Sequence, residues 1–402
     1  MRPTMPPNAL PNPFFNTQQD RVALARERYF EQGERPSGLV SEPVIQSWNR
    51  CLGARRSPDE KIGFDPISKI RIATVLTKNR ALIEAATDPI AELETAIAGS
   101  QARVLLTSSE GVVVMASRST AGDGPLLRSA ARVGVSIGEA SVGTGAPGVA
   151  LNTGEVCIVR GGEHFFRCLE ALHCAAAPVR DASGRTVAML DLTSEIGPFR
   201  FDAGALAHMY ATCIENRLLA NAARSQLMLR FQSSKTMFHT PLEGLAAVDE
   251  HGQVCWFNGV GARLFDCPRV PEAGLEAEAV FGLDLRALLA LAHDGRAQLQ
   301  MLPSGLTLWM AAQLDERAGQ PAGPLTTEPV TVTVEMLTGV DALPAVGGVA
   351  ASPLSSPSLD EANRRLIEQT LAQCQGNVSR AARRLGVSRG LLYRRLREWG
   401  AG

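Results

Sequence analysis

Five side chains suited to soft metals, Cys157, His164, Cys168, His173 and Cys174, fall within eighteen residues. Sulfur and imidazole at that density could hold iron, zinc or haem. The spacings match no established metal pattern, however, and Cys157 and Cys174 stand in apolar, strand-like runs where a free cysteine behaves as a small hydrophobe. Ordinary core packing is the first reading of the cluster. A small-molecule pocket is the second, lined by Thr144 and Cys174, with His164 donating a hydrogen bond and Phe165 or Phe166 supplying an apolar wall. Metal or redox sensing is the third, and no metal or cofactor is called for.

A different chemistry sits at the other end. From Ser358 onward there are nine Arg against four acidic residues, a net of +5, whereas the preceding 357 residues carry 31 basic and 37 acidic ones, a net of −6. A basic stripe inside a near-neutral chain is the electrostatic footprint that phosphates require. Three helices must position these arginines. Ser358-Leu359-Asp360-Glu361 is a capping box that opens the first, which ends at Gly376. Asn377 caps a second that stops at Gly386, and Ser388 caps a third with Leu391, Leu392 and Leu396 inward. Two short helices joined at Gly386-Val387 form a helix-turn-helix. Arg389, Gly390, Tyr393 and Arg394 then lie at or near base edges, while Arg380, Arg383 and Arg395, with Arg384 beside them, face phosphates.

The run Gly376 to Leu396 closely resembles the Fis-type helix-turn-helix that ends many bacterial enhancer-binding regulators, with Gly390 where that family usually has Ser or Thr. Upstream, the Ser47-Trp48-Asn49-Arg50-Cys51 segment resembles the leader of acetoin-type catabolism regulators. The segments Gly143 to Leu151, Gly162 to Phe166, Cys174 to Pro178 and Leu190 to Thr193 look like the GAF sensor of the same regulators, with Gly145 in place of the usual Asn. Strand, turn, strand and Asn258 followed by a short helix resemble the start of a PAS domain.

In chain order, residues 1–40 are rich in Pro, Asn and Gln, with one short amphipathic run near Asp20 to Phe30, and are expected to have little fixed structure before Gly38. Residues 41–100 form a helical leader, beginning with Pro43 in a first turn and broken near Pro89. The period then turns strand-like. Strands are expected at 102–107, 112–117, 156–160, 175–180 and 187–193, giving an α+β domain over 101–236. That domain ends in a long helix from 203 whose Leu206, Met209, Cys213, Ala220, Ala223 and Leu227 keep an a/d register interrupted by Asn216, suited to a parallel dimer. Packing of this helix on its own sheet is the equal alternative. A second α+β unit spans 241–338, with strands at 245–249, 254–258, 306–314 and 330–336. Residues 339–357 are an Ala, Gly, Pro and Ser linker, spanning on the order of 25 Å if flexible. The all-α helix-turn-helix of 358–402 closes the chain.

No stretch reaches the roughly eighteen apolar residues of a membrane span, and no apolar signal core follows the N-terminus, so a cytoplasmic location is expected. Regulators with this sensor and tail normally carry an ATPase between them, but no G-x-x-x-x-G-K-[ST] phosphate loop exists in these 402 residues. The expectation is a DNA-binding regulator, not an enzyme, that senses a small effector and acts by occupancy of double-stranded DNA as a homodimer. It would cooperate or compete with a full-length ATPase paralogue or with RNA polymerase. Two other classes stand beside it: a nucleoid-architectural DNA binder like Fis itself, and a GAF-type methionine sulfoxide reductase using the cysteines.

Overall fold

The computed structural model describes residues 17–120, 122–223, 226–271 and 274–314. All lie in the first of two compact units, Met1–Leu325. The second unit, Thr326–Gly402, is outside the described residues, and with it the 330–336 strand, the linker and the three basic helices.

The chain opens with α1 (Gln18–Arg26), capped by the Thr17 hydroxyl on Asp20 N–H, and continues through a π turn at Glu27–Glu31. The expectation of a segment without fixed structure is thus corrected from Thr17 on. Val22 and Ala25 are buried, and Tyr29 and Phe30 stack on Trp48 at 5.4 and 5.0 Å between ring centres. Those aromatic contacts offset the ordering cost that a polar composition alone would not meet.

Next come α2 (Glu42–Gly53), α3 (Lys69–Lys78) and α4 (Arg80–Ile97). Pro89 does not break the helix; it lies inside α4, buried, and the interruption falls at Asn79. Asn79 ends α3, donating its side-chain N–H to Val75 O, and starts α4 with a non-helical backbone. Packing overrides the proline, because Leu82, Ala86, Ile90, Leu93 and Ile97 are buried in one row against the first sheet.

That sheet holds β1 (Arg103–Ser108), β2 (Val113–Ala116), β3 (Cys157–Arg160), β4 (His173–Arg180) and β5 (Thr186–Ser194), antiparallel in the order β2-β1-β5-β4-β3. Between β2 and β3 run α5 (Pro125–Ala130), α6 (Glu139–Val142) and α7 (Ala146–Thr153). Side chains alternate across the strands. Val104, Leu106, Ala175, Leu190 and Leu192 face α4 and α8 (Ala203–Ala222), whereas Leu105, Cys174, Ala176 and Met189 face α2 and α7. We call the second side the inner face.

The helix from 203 stops at Ala222, and Leu227 already belongs to β6 (Leu227–Gln232). The expected helix to 236 is therefore corrected. Leu227, Leu229 and Phe231 alternate with Met228 and Arg230 at strand period, and pairing with two neighbours outweighs the absence of a Gly or Pro stop. The remaining elements are β7 (Gly244–Val248), β8 (Val254–Phe257), α9 (Gly259–Leu264), α10 (Ala277–Phe281), α11 (Leu285–Asp294), β9 (Gln298–Met301) and β10 (Thr307–Leu314). They complete a second antiparallel sheet, ordered β8-β7-β6-β10-β9.

α8 serves both sheets. Its Ala207, Ala211 and Ile214 pack on the first, while Leu219 packs with Met228, Leu245 and Trp256 of the second. Asn216 is buried and accepts from Asn258 Nδ2 at 2.9 Å, so it does not sit on a dimer seam. Glu215 accepts from Arg180 N–H of β4 at 3.0 Å and from Arg269 Nη1 at 2.7 Å. Of the two readings of this helix, the structure shows packing on the chain's own sheets. No described helix is long and apolar enough to cross a membrane.

Candidate functional site

The inner face is roofed by α2, and every residue of the Ser-Trp-x-Arg-Cys run except Asn49 is used there. Ser47 Oγ donates to Glu139 Oε2 at 2.8 Å, which leaves it to accept from Thr144 Oγ1 at 2.7 Å. Arg50 clamps both oxygens of Glu139, at 2.5 and 2.7 Å. Trp48 is buried and donates its indole N–H to Glu163 O at 2.9 Å. Cys51 reaches toward Thr144, 4.0 Å away. Glu139 can sit here because α7 approaches α6 closely at Gly148, where a Cβ would come within 2.9 Å of Glu139 N. Gly148→Ala should therefore cost about 1–3 kcal/mol in urea unfolding, and an unchanged midpoint would show that this approach is not tight.

The loop carrying His164, Phe165 and Phe166 is held from below by α1. Arg26 donates to Gly162 O at 2.9 Å, to His164 O at 2.6 Å and to Phe165 O at 3.2 Å. Phe165 and Phe166 meet edge to face at 5.0 Å, and the Arg56 guanidinium covers the Phe166 ring at 4.7 Å. Gly143 adopts φ +63°, and a Cβ there would lie 2.9 Å from the Phe166 ring, so glycine is needed for both backbone and space.

Beneath the loop runs a chain of buried polar groups. His164 Nδ1 lies 2.9 Å from Gly161 O; a carbonyl only accepts, so Nδ1 carries the proton and Nε2 accepts from the Cys174 thiol at 3.6 Å. Thr193 Oγ1 lies 3.4 Å from Cys174 Sγ and 2.5 Å from Asp191 Oδ2. With one hydroxyl proton, Thr193 serves both neighbours only when Asp191 is protonated and donates to it. The hydrogen bond that sequence reasoning gives His164 for a ligand is corrected by this arrangement, because both ring nitrogens are engaged within the protein. Burial pushes the thiols of Cys157, up to about 12, and Cys174 upward, so both are protonated at neutral pH. Cys168 is exposed, 3.7 Å from Glu60 O, and the five soft ligands do not converge. Among the described residues no three His, Cys, Asp or Glu side chains form a metal-sized group.

Burial raises the Asp191 carboxyl to about 7, opposed in part by Thr193, and lowers His164 to about 4. In the unfolded chain the two titrate near 3.9 and 6.5. Asp191 thus contributes stability that is full below about pH 4 and is lost as pH rises toward 7. His164 contributes stability that is full above about pH 6.5 and is lost as pH falls toward 4. Between those limits the slopes cancel, since folding moves one proton onto Asp191 and one off His164. Asp191→Asn removes one slope. Relative to the parent chain, its unfolding free energy should fall by about 1.4 kcal/mol per pH unit on acidification from 6.5 to 4. Parallel stability curves for the two proteins would contradict this.

Of the residues expected at a ligand site, Thr144, His164, Phe165, Phe166 and Cys174 are all buried on or against the inner face. Sequence reasoning missed Arg26, Ser47, Glu139, Thr107 and Asp191. A polar residue at an inward position of an apolar strand was the available signal for the last two. The residues expected to meet DNA, Asn377, Arg380, Arg383, Arg384, Ser388, Arg389, Gly390, Tyr393, Arg394 and Arg395, lie outside the described residues.

Residues 358–399 match the family described as "Bacterial regulatory protein, Fis family", and residues 17–206 match "MimR, N-terminal domain". The chain is 27% identical over 316 residues to the acetoin catabolism regulatory protein of Cupriavidus necator, covering 70% of this chain and 46% of that protein. The chain resembles that regulator over this span. Over 199 residues it is also 28% identical to the propane 2-monooxygenase operon transcriptional activator MimR of Mycolicibacterium smegmatis, covering 48% of this chain and 32% of that one. The chain thus spans less than half the length of these curated relatives. Among solved structures, the E. coli DhaR(N)–DhaL complex matches at 14% identity and TM-score 0.43, covering 68% of this chain and 99% of that one. The 17–206 match begins at the cap of α1 and ends inside α8, so it takes in the roof, the loop and the whole first sheet.

Proposed function

We propose that this chain is a sequence-specific DNA-binding transcriptional regulator that senses a small effector at the inner face of its first sheet. The observation that carries the reading is the Fis-family match over 358–399, which coincides with a stretch of net charge +5 in a near-neutral chain. The first sheet, with its β2-β1-β5-β4-β3 order and α2 roof, acts as a GAF-like sensor. The second acts as a PAS-like relay, with Asn258 capping α9 and tying β7 to α8. Thr144, His164, Phe165, Phe166 and Cys174 shape the sensor's interior. The relatives are named for acetoin catabolism and for a propane 2-monooxygenase operon. An effector of that size, a few carbons and no net charge, suits this chain as well. With no phosphate loop in the sequence, regulation proceeds by occupancy, beside a full-length ATPase paralogue or RNA polymerase. One helix-turn-helix reads few base pairs, so the DNA-bound form is a homodimer on a two-fold site.

The protonated thiols of Cys157 and Cys174 support this reading over a sulfoxide reductase, and the two sheets support it over an architectural DNA binder. Genome-wide occupancy of the tagged chain tests it, followed by binding to the top site at several salt concentrations. A few two-fold sites beside one operon, with affinity falling steeply with salt, are expected. Diffuse binding without a preferred site would shift the reading to the architectural class.

A further inference from the structure

Glu215 of α8 holds a different sheet with each carboxylate oxygen. Oε2 accepts from Arg180 N–H at the end of β4, at 3.0 Å, and Oε1 accepts from Arg269 Nη1, in the chain beyond α9, at 2.7 Å. The residue is 4% exposed, so if either partner moves away a buried charge loses support that water does not replace. Arg180 N–H is free for this role because β4 and β5 slip register between Val179 and Arg180, and such a break leaves a backbone group outside the ladder. On the other side, Arg269 O accepts from Phe257 N–H at 2.6 Å. The next residue, Asn258, caps α9 at Gly261 N–H and donates to Asn216 Oδ1, back on α8. The turn between β4 and β5 completes the junction: Ala182 packs with Leu219, Met228 and Trp256, and a Cβ at Gly184 would lie 3.5 Å from Arg269 Cδ. Gly259, the first residue of α9, leaves the space through which Arg269 reaches Glu215, since a Cβ there would run into the guanidinium.

We propose that Glu215 and Arg269 form a latch that makes the end of β4 and the start of α9 move as one body. A shift of the first sheet is then passed to the second through one carboxylate. The geometry suits transmission more than adhesion. Adhesion is already supplied by the apolar contacts of α8, through Ala207, Ala211 and Ile214 on one sheet and Leu219 on the other. Apolar contacts are non-directional and tolerate sliding, whereas a carboxylate clamped by a backbone N–H and a guanidinium fixes direction and distance. β4 also carries Cys174 on the inner face, six positions before Arg180, so the latch grips the same strand that lines the sensor interior. It works whatever the first sheet binds, and its failure would leave the proposed function standing.

Hydrogen exchange read by mass spectrometry on the full chain tests the latch, with Gly148→Ala as the perturbation, because its clash lies between α6 and α7 of the first domain. In the parent chain that substitution should speed the slowest amides of β4, β5, β7 and β8 alike, by about tenfold. In a Glu215→Gln or Gly259→Ala background it should still speed β4 and β5 by about tenfold, but β7 and β8 by less than about twofold. Glu215→Gln is near-isosteric. Gly259→Ala displaces the guanidinium without removing it, and alanine favours helix over glycine, so lost coupling there does not come from a weaker α9. Arg269→Lys keeps a cation for Oε1 and should retain most of the coupling, whereas Arg269→Met should not. If β7 and β8 follow the first sheet equally in every background, the coupling runs through the apolar contacts of α8 and the latch is overturned. If they do not respond even in the parent chain, the two sheets open independently and the latch is overturned as well.

Discussion

Replacing Arg26 by alanine is expected to cost about 3–5 kcal/mol of stability, although the residue lies in a segment whose composition suggests disorder. Its guanidinium is buried and makes three hydrogen bonds to backbone carbonyls of the 162–165 loop. Burial lowers its pKa, with Glu170 at 3.6 Å opposing that effect. Truncation leaves Gly162 O, His164 O and Phe165 O facing an apolar layer, at about 1–3 kcal/mol for each acceptor that water cannot reach. It also removes the cation stacked 4.9 Å from the Phe30 ring. Arg26→Lys should rescue only part, because a single ammonium cannot span a planar fork of acceptors. Urea unfolding with tryptophan fluorescence reads the effect directly, since Trp48 lies against Phe30. A loss below about 1 kcal/mol would show that α1 is an appendage and not part of the sensor core.

The strands of the first sheet were legible in the sequence because their signal is local. Alternating or continuous apolar runs bounded by Gly, Ser and Asp fix β1, β2, β4 and β5 to within two residues of where they stand. What was not legible was decided at long range. Arg26 acts on a loop 136 residues away, and Pro89 stays helical only because its helix is pressed on a sheet. β6 exists because β7 and β10 pair with it on both sides. Asn216 looked like a polar interruption of a dimer seam, yet its partner Asn258 is 42 residues further on.

The candidate site shows the same division. Thr144, His164, Phe165, Phe166 and Cys174 could be picked out because unusual residue types were crowded together, and the fold does bury them around one face. Their roles could not be read from types. Whether His164 donates to a ligand depends on what its two nitrogens already hold, and Gly161 O and Cys174 hold them. In the sequence Asp191 reads only as part of the Leu190 to Thr193 segment, since nothing in one sequence distinguishes a carboxyl oxygen that is paired from one left unpartnered. That distinction comes from register: Leu105 and Ala176, its partners on either side, offer it no donor.

The second large effect is expected at the opposite end of the chain, where one arginine should set sequence preference and another should set only affinity. In the proposed helix-turn-helix, Arg389 follows the Ser388 cap and is assigned to the first side chains that a recognition helix presents to the major groove. Arg389→Ala should weaken binding to the preferred site by about 1–3 kcal/mol, roughly 5–150-fold, with little effect on unrelated sequences. Arg383→Ala should instead weaken binding to all sequences alike and make the dependence of affinity on salt shallower by about one phosphate's worth of counterion release. Anisotropy titrations of both variants on the preferred and a scrambled duplex, at two or more salt concentrations, separate the cases. If the two variants lose affinity in the same proportion on both duplexes, the arginines serve only as a charge stripe, and specificity must arise from DNA shape or from the spacing of two heads in a dimer.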